Sequence, residues 1–519
     1  MRKKGTTVPV AILCSVLCLP YCSSSRNTQV RLVEVPVSMG YAKAAEKGAL
    51  QWACAGATEP LAAYFDSRRL RYQSELVRKM GGDLCHILYE PTVAGFRASA
   101  DNAAVSEIFA NVNTLAFLAK RREDAGDSLG VLKRVLRDSE KPLEVTLDLS
   151  VSGEERQVAE ALRFHFGRGP HRFRIHHDGH GDVDPWVQDL FKYGYTQGQR
   201  RVLVTRQAYE GSAENGALLE PMLGSFTGDP YVRSKLAFEG GDLLFAVVPG
   251  AKERVVLFYG TSAKPYWGEA LTREEFAYVL QAEFGADEAV YFGDVTPHVD
   301  YSLALLSDGV TALVAEPQCG DARVAASVTT LLEELEEAGG GAKEEAQRLE
   351  VTAYVSEHCP GKPGECVAPE RMPELVEQEP ALVRTWLRLG NAVQLRKALV
   401  PRLREILRRQ AAGCDPEHRR KLDENAAMLQ RMGFRVVRVP WLEGEASSDS
   451  RWPGISYVNA AVIGESIFVP ELGLGEVEEE WFGELQRELP GFRVVATPAA
   501  NLLLQNGGIH CVLAFGRVR

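Results

Sequence analysis

Residues 243–292 carry the pattern that decides the fold. They read LLFAVV at 243–248 and VVLFY at 255–259, then TREEFAYVLQAEF at 272–284 and AVYF at 289–292. The three short apolar and aromatic runs are typical of strands, and the longer segment between the second and third predicts a helix. Strands that alternate with helices indicate an α/β architecture. No glycine-rich phosphate loop interrupts this alternation.

The same alternation extends to both sides of this segment. Further strands are predicted at 143–149, 172–176, 202–205, 312–314 and 434–440, and helices at 58–79 and 104–119. The charge-rich, mostly helical stretch at about 321–430 is interpreted as a helical insertion, because long charged helices are usually solvated. The expected division is residues 1–25 as a leader, 26–140 as an N-terminal region of unknown role, and 141–519 as the α/β domain with its insertion.

The first 25 residues have the pattern of a secretory signal. Basic residues at 2–4 precede an apolar run at 8–19, and three serines follow at 23–25. The apolar run is too short to cross a bilayer, so we expect an exported protein, secreted or attached to the cell envelope. Cys22 is a candidate for lipidation, which would be the route to a membrane, although the bulky Tyr21 before it argues against this. An uncleaved apolar N-terminus is the alternative.

Composition excludes several classes of protein. The chain has 519 residues, of which 45% are hydrophobic and 25% charged, as in globular proteins. Its formal net charge of −11 gives no basic surface for nucleic acid. Ten cysteines less the three at 14, 18 and 22 leave seven, so at least one stays unpaired within the chain. Cys359 and Cys366 bracket a Pro/Gly loop that suits a small disulfide, whereas a zinc site there would need ligands besides His358.

Four short motifs carry chemically active side chains: PWVQD at 185–189, FEGGD at 238–242, HVD at 298–300 and GGIHC at 507–511. Each alone is weak evidence, because a lone cysteine, for example, is usually a small buried hydrophobe. Together and in this order they resemble the guanidine-modifying superfamily, which contains protein-arginine, agmatine and arginine deiminases and amidinotransferases. The continuation LFKYGY at 190–195 is similar to the protein-arginine deiminases, whereas the segments 455–459 and 467–470 are similar to the agmatine branch.

This resemblance implies a fold and a set of catalytic roles. The implied fold is a five-bladed α/β-propeller of the pentein type, with the active site at the central channel. Cys511 would be the nucleophile and His298 the group that transfers protons. Asp189 and Asp300 would clamp the guanidinium of the substrate.

The resemblance also suggests residues that bind the rest of the substrate. Trp186 would lie along the aliphatic stem and Arg206 would hold a peptide backbone, while Glu239 and Asp242 would support the clamp. A core position for Trp186 and a turn-capping role for the two acidic residues stay open. We expect His510 to be structural, because neighbouring residues on a strand point to opposite faces.

The implied chemistry suits these residue types. A guanidinium is a planar cation whose N–H groups pair with carboxylates two at a time. A thiolate attacks the central carbon, a histidine protonates the departing ammonia, and water releases a ureido product. No metal or cofactor is required. Calcium dependence stays open, because Tyr301 stands where the protein-arginine deiminases usually have an acidic residue.

The predicted function is hydrolytic deimination of arginine in peptides or proteins to citrulline. One alternative is a deiminase for agmatine or free arginine, and an amidinotransferase is another. A third is a catalytically inactive, exported binding protein with the same fold. The presence of Cys511, His298, Asp189 and Asp300 together argues against the inactive protein.

Overall fold

The structure, a computed structural model, describes the residues 91–112, 117–118, 127–139, 141–149, 155–167, 169–177, 186–205, 230–234, 236, 238–250, 254–260, 273–293, 295–296, 298–337, 400–444, 454–503 and 507–517. Several predictions lie outside these residues and are not tested. They concern the leader at 1–25 with Cys22, the helix at 58–79, Arg206, residues 338–399 of the insertion, and the loop from Cys359 to Cys366.

The strands confirm the predicted α/β architecture. They are β1 Arg97–Ala98, β2 Val105–Val112, β3 Glu144–Leu149, β4 Arg172–His177, β5 Phe191–Thr196, β6 Gln199–Val204, β7 Tyr231–Arg233, β8 Leu243–Val247, β9 Val255–Tyr259, β10 Glu288–Tyr291, β11 Leu303–Leu305, β12 Thr311–Pro317, β13 Arg435–Glu443, β14 Gly454–Ser456, β15 Ala461–Ile463, β16 Ser466–Glu471, β17 Arg493–Pro498 and β18 Ala514–Arg517. Within the described residues they form five small sheets, in the orders β1-β5-β6-β7, β8-β9-β10, β11-β12-β13-β14, β15-β16-β17 and β18-β2-β3-β4.

Each sheet contains the same three-strand pattern. The first strand is antiparallel to the second, and the second is parallel to the third, in β5-β6-β7, β8-β9-β10, β11-β12-β13, β15-β16-β17 and β18-β2-β3. The last of these sheets joins the two ends of the described chain, since β18 pairs with β2. In the described part of the chain, five sheets therefore share one strand pattern, and β18 completes the sheet that contains β2.

Seven of the described helices lie between the parallel strands of a sheet, and the last two lie between β17 and β18. They are α1 Ser128–Asp138, α2 Glu155–Phe166, α3 Arg273–Phe284, α4 Ala322–Glu337, α5 at 400–412, α6 Pro416–Arg431, α7 Glu476–Glu488, α8 Ala500–Leu503 and α9 Ile509–Val512. A parallel pair needs such a crossover, and α3, for example, joins β9 to β10. None of the described helices combines the length and the apolarity needed to cross a bilayer.

Helix α6 illustrates how the sequence determines such a crossover. Asp415 caps its N-terminus by accepting a hydrogen bond from the backbone N–H of Glu417 at 2.9 Å, and a proline occupies the first turn. Leu422, Ala426 and Leu429 recur at helical spacing and are buried against the sheet. The helix therefore packs one face against β12 and β13, and its charged face is on the outside.

The predicted helix at 104–119 is wrong over its first half, because residues 105–112 form strand β2. The apolar side chains in this segment also fit helical spacing, which is why the pattern was ambiguous. In the sheet β2 lies between β18 and β3, and its last six residues are all buried. A strand buried on both faces has a nearly continuous apolar run instead of strict alternation.

The predicted domain limits stay a prediction, but the described elements near them pack with the sheets. Strands β1 and β2 precede residue 140 and pair within the five sheets described above. At the other limit, Val324 and Val328 of α4 and Leu403 and Ile406 of α5 are fully buried in the main core. The described ends of the predicted insertion therefore pack into this core.

Candidate active site

The four predicted motifs lie on short turns that each precede a strand. The helical turns are Val187–Asp189 before β5, Gly240–Asp242 before β8, Val299–Tyr301 before β11 and α9 before β18. The turn at 187–189 contacts those at 240–242 and 509–512, and the turn at 240–242 contacts that at 299–301. Equivalent points of four sheets therefore meet, which brings together side chains that are far apart in sequence.

His298 lies between two carboxylates. Its Nε2 is 2.6 Å from Oε2 of Glu239, and its Nδ1 is 3.9 Å from Oδ1 of Asp189. Burial alone would lower the pKa of this imidazole, but Asp189, Glu239 and Asp300 together raise the pKa well above its usual 6.5. His298 is therefore held as an imidazolium at neutral pH, the form that can donate a proton.

Gly241 marks the point on which the functional atoms converge. Its backbone N–H donates to Oδ1 of Asp189 at 2.8 Å. A Cβ atom at this residue would lie 2.8 Å from Nδ1 of His298, 2.9 Å from Oδ2 of Asp300 and 3.0 Å from Oδ1 of Asp189. Three side chains from three turns thus surround the Glu-Gly-Gly backbone, and any larger residue would displace at least one of them.

Asp300 connects the nucleophile candidate to the rest of the site. Its Oδ2 accepts a hydrogen bond from Nδ1 of His510 at 2.9 Å and lies 3.6 Å from Sγ of Cys511. Its Oδ1 is buried and has no hydrogen-bond partner among the described residues. One oxygen of this carboxylate is therefore engaged, and the other is a buried acceptor that remains available.

The strand geometry from which we expected His510 to be structural is wrong, whereas the role of this residue stays a prediction. Residues 509–512 form a helical turn, α9, in which neighbouring side chains do not point to opposite faces. His510 and Cys511 therefore both reach Asp300. The sequence signal that favoured a strand was the apolar run at 511–515, of which only the end is extended.

Asn459 is a site residue that the sequence analysis did not assign. It is fully buried, in the turn that precedes β15 of the remaining sheet. Its Nδ2 donates to Sγ of Cys511 at 3.2 Å, and its Oδ1 accepts from the backbone N–H of His510 at 3.1 Å. A polar residue immediately before a strand, as in the other four motifs, was the signal that could have identified it. All five sheets thus contribute a turn to the site.

The surroundings of Cys511 disfavour its ionised form in the free protein. Burial and then the charges of Asp300 and Asp189 raise the pKa of the thiol well above its usual 9.0. The backbone of Gly508 and the amide of Asn459 oppose this by hydrogen bonding to the sulfur. Cys511 is also the one free cysteine in the described part of the chain. Without a compensating positive charge, the sulfur is held as a neutral thiol.

Lys192 places a buried amine near these acidic groups. It follows the first turn on β5 and is only 6% exposed, and its Nζ has no hydrogen-bond partner among the described residues. Burial lowers the pKa of this amine, while the carboxylates of Asp101 and Asp300 oppose the shift. The buried position of Lys192 was not predicted, because a lysine on a strand is usually exposed.

The remaining predicted residues are only partly tested by the described structure. Trp186 is half-buried and packs on the main core, and a Cβ atom at Gly507 would fall within 1.9 Å of its ring. Asp242 is fully buried in the turn that also holds Gly241. Arg206 lies outside the described residues. The groups of three side chains with metal-ligand spacing in the described residues lie around Glu443, not at this site.

Part of the chain matches a known family. Residues 399–514, which include Asn459, His510 and Cys511, match the model of the Porphyromonas-type peptidyl-arginine deiminases. Over that part of the chain, the match confirms the predicted resemblance to the guanidine-modifying superfamily.

Solved structures of deiminases are similar to the chain at low identity. The C. jejuni agmatine deiminase is 12% identical, with 82% of this chain and 97% of that one covered at a TM-score of 0.46. The agmatine deiminase of Enterococcus faecalis is 12% identical, with 81% and 95% covered at a TM-score of 0.42. No curated protein matches the chain.

Proposed function

We propose that this protein is a hydrolytic deiminase that converts arginine side chains of peptides or proteins to citrulline and ammonia. The observation that carries the proposal is the convergence of His298, Asp189 and Asp300 around the backbone of Gly241, with Sγ of Cys511 3.6 Å from Asp300. We also propose that the five similar sheets form a five-bladed α/β-propeller. The repeated three-strand pattern and the pairing of β18 with β2 support this arrangement.

The guanidinium of the substrate binds between Asp189 and Asp300. The unpaired Oδ1 of Asp300 is an acceptor for one substrate N–H group. Both carboxylates are almost fully buried, so their attraction for a cation is screened less than it would be in water. Burying an unpaired carboxylate oxygen is costly, and a guanidinium N–H removes that cost.

Binding of this cation prepares the nucleophile. The two carboxylates that raise the pKa of Cys511 are the ones that the guanidinium neutralises, so its arrival lowers the pKa of the thiol. The thiol releases its proton to solvent, and the thiolate attacks the central carbon, so that a C–S bond forms as the C=N double bond opens onto nitrogen. Asn459 holds the sulfur in place by donating to it.

His298 handles the protons of both half-reactions. As an imidazolium it donates a proton to the departing nitrogen, the C–N bond breaks, and ammonia leaves an S-alkylthiouronium on Cys511. The neutral imidazole then accepts a proton from water, whose oxygen attacks the same carbon. The C–S bond breaks, which releases the ureido product and restores the thiol. Glu239 orients the ring through its contact with Nε2.

Arginine within a peptide is the favoured substrate because of the segment around Trp186. The run from this residue to 195 is similar to protein-arginine deiminases, and the matched family is described as peptidyl-arginine deiminases. Trp186 would lie along the aliphatic stem, and Arg206 would hold the peptide backbone. A small guanidine such as agmatine or free arginine is the second candidate, because the Glu-Gly-Gly segment and the 455–459 segment are similar to agmatine deiminases.

A substrate panel tests the proposal. Purified protein is incubated with a blocked arginine ester, an arginine-containing peptide, agmatine and free arginine, with calcium or with a chelator. We expect equal amounts of ammonia and ureido product from the blocked ester and the peptide, and no product with Cys511→Ala. Turnover of agmatine or free arginine alone would favour the second candidate. Absence of turnover on every guanidine would instead support an inactive binding protein.

We further propose that the protein is exported, on the basis of the leader pattern at 1–25. Expression of the full chain followed by cell fractionation tests this. The N-terminal mass of the mature protein then distinguishes cleavage alone from lipidation at Cys22. Recovery of the uncleaved chain in the cytosol would contradict export.

A further inference from the structure

A second group of reactive side chains lies at one end of the β12–β13 pair. Cys319 follows β12 by two residues, and Glu443 is the last residue of β13. Because β12 and β13 are parallel, their carboxyl ends meet at the same edge of the sheet. Cys414 immediately precedes α6 and forms a disulfide with Cys319 across 95 positions of sequence. None of these residues belongs to the candidate active site.

Glu443 is the centre of this group. It is fully buried, and its Oε1 is 2.8 Å from Nδ1 of His418. Its Oε2 accepts the backbone N–H of Asp415 at 3.1 Å and lies 3.8 Å from Sγ of Cys319. Arg409 is the cation nearest to it, with Nε 3.6 Å from Oε1. A buried carboxylate thus faces two sulfur atoms on one side and an imidazole on the other.

The donor atoms have the chemistry of a transition-metal site and form two groups of three that share Glu443. The two sulfurs and a carboxylate oxygen of Glu443 lie within 4.8 Å of one another, and so do the ligand atoms of Asp415, His418 and Glu443. Ligands of a tetrahedral zinc ion lie about 2.0–2.3 Å from the metal and therefore roughly 3.3–3.8 Å from one another. Thiolate, imidazole and carboxylate together favour Zn²⁺ over harder cations such as Mg²⁺ or Ca²⁺.

We propose that reduction of the Cys319–Cys414 disulfide creates a Zn²⁺ site whose ligands are Cys319, Cys414, His418 and Glu443. In the oxidised protein the sulfurs are bonded to each other and are not thiolates, so the site does not bind metal. The Cα atoms of the two cysteines are 5.3 Å apart, so the sulfurs can separate to ligand distance by side-chain rotation and a small backbone shift. The site alternates between a covalent and a metal crosslink.

The chemical steps balance with an external reductant. A phosphine transfers two electrons to the S–S bond and takes up the oxygen of water, which leaves two thiols and a phosphine oxide. Binding of Zn²⁺ to both sulfurs then displaces two protons. Either crosslink ties the N-terminus of α6 to the ends of β12 and β13. The proposal is independent of the deiminase activity, because it uses none of the residues of that site.

Metal binding by the full chain tests the proposal. The protein is prepared oxidised and phosphine-reduced, equilibrated with Zn²⁺ without oxygen, desalted, and assayed for bound metal. We expect reduced wild-type protein to retain one more equivalent of zinc than the reduced double variant Cys319→Ser/Cys414→Ser, and the oxidised protein to gain none. Co²⁺ in place of Zn²⁺ should give a sulfur-to-cobalt charge-transfer band in reduced wild-type protein only.

Two further variants identify the ligands. The double variant Cys359→Ser/Cys366→Ser is the matched control, because it removes two cysteines that are close together in sequence but are not proposed ligands. It should keep the extra equivalent of zinc. His418→Ala, on a half-buried position, should weaken zinc binding at least tenfold, measured by competition with a chelator. The proposal is overturned if reduced wild-type protein binds no more metal than the Cys319/Cys414 variant. It is equally overturned if the extra metal is lost with Cys359 and Cys366, or if His418→Ala leaves the affinity unchanged.

Discussion

Nδ1 of His510 donates to Oδ2 of Asp300 at 2.9 Å, and this hydrogen bond determines which oxygen of the carboxylate remains free. Oδ1 has no hydrogen-bond partner in the described part of the chain, although it is buried. The rotamer that presents Oδ1 to a substrate is thus fixed by a residue adjacent to Cys511. We therefore infer that His510 is a positioning residue for the proposed guanidinium clamp.

This relationship predicts different results for two amide substitutions of His510. In His510→Asn the amide nitrogen occupies the place of Nδ1, whereas in His510→Gln it occupies the place of Nε2. We expect Asn to preserve most of the activity. Gln and Ala should each lower kcat/KM by roughly 10- to 100-fold, the effect of losing a hydrogen bond to a charged group. The loss should be mainly in KM for the guanidine, measured by steady-state kinetics. Equal losses in all three variants would contradict the positioning role.

Gly241→Ala should abolish most activity without unfolding the protein. The added methyl group would come within 3.0 Å of His298, Asp300 and Asp189, so these side chains must move. A displacement of about 1 Å at reacting groups costs on the order of 100-fold in rate. Gly491→Ala is the matched control, because a Cβ atom there has no heavy atom within 4 Å. Both variants are compared by kcat/KM and by thermal unfolding; full activity in Gly241→Ala would contradict the described site.

Two substitutions should move the reactivity of Cys511 in opposite directions. Asp300 raises the pKa of the thiol, so Asp300→Asn should lower it and speed alkylation by iodoacetamide at neutral pH, even though deimination is lost. Asn459 lowers the pKa of the thiol, so Asn459→Ala should slow alkylation. Mass spectrometry of the peptide that contains Cys511, across a pH series, measures both. Slower alkylation in Asp300→Asn would show that the electrostatic account has the wrong sign.

Glu239→Gln should move the alkaline limb of the pH–rate profile to lower pH. Glu239 helps to raise the pKa of His298, so without its charge the imidazolium loses its proton at a lower pH. The Glu239–His298 pair also contributes to the free energy of unfolding. This contribution is fully present below about pH 6.5 and is lost as the pH rises through the higher pKa that His298 has in the folded protein. The stability difference between the variant and the wild type should therefore shrink at alkaline pH. Glu465→Gln, at an exposed turn, is the control for both measurements and should change neither.

The strands and helices that the sequence predicted well are those with a local signature. Residues 243–292 form β8, β9, α3 and β10 with limits close to the predicted ones, because apolar runs and turn residues mark each boundary. Strand β2 was misassigned because its extended form depends on pairing with β3 and with β18, the latter some 400 positions away. Local periodicity carries no information about such a partner.

The candidate site was predictable in its motifs but not in its contacts. The motifs identified Cys511, His298, Asp189 and Asp300, and the structure brings their side chains together. The contact of Asn459 with the sulfur depends on how turns from different sheets meet, which a single motif does not reveal. The Cys319–Cys414 disulfide was missed for the same reason, since the parallel strands β12 and β13 bring its ends together.

The central claim is that Cys511 attacks a guanidinium carbon held between Asp189 and Asp300. The most direct measurement is to mix the protein with a blocked arginine ester and quench the reaction in acid within milliseconds to seconds. The mass of the peptide that contains Cys511 is then measured by mass spectrometry. We predict a transient peptide heavier by the mass of the ester less that of ammonia, absent in Asp300→Asn and in Cys511→Ala. Continued release of ammonia and ureido product by Cys511→Ala would contradict the claim.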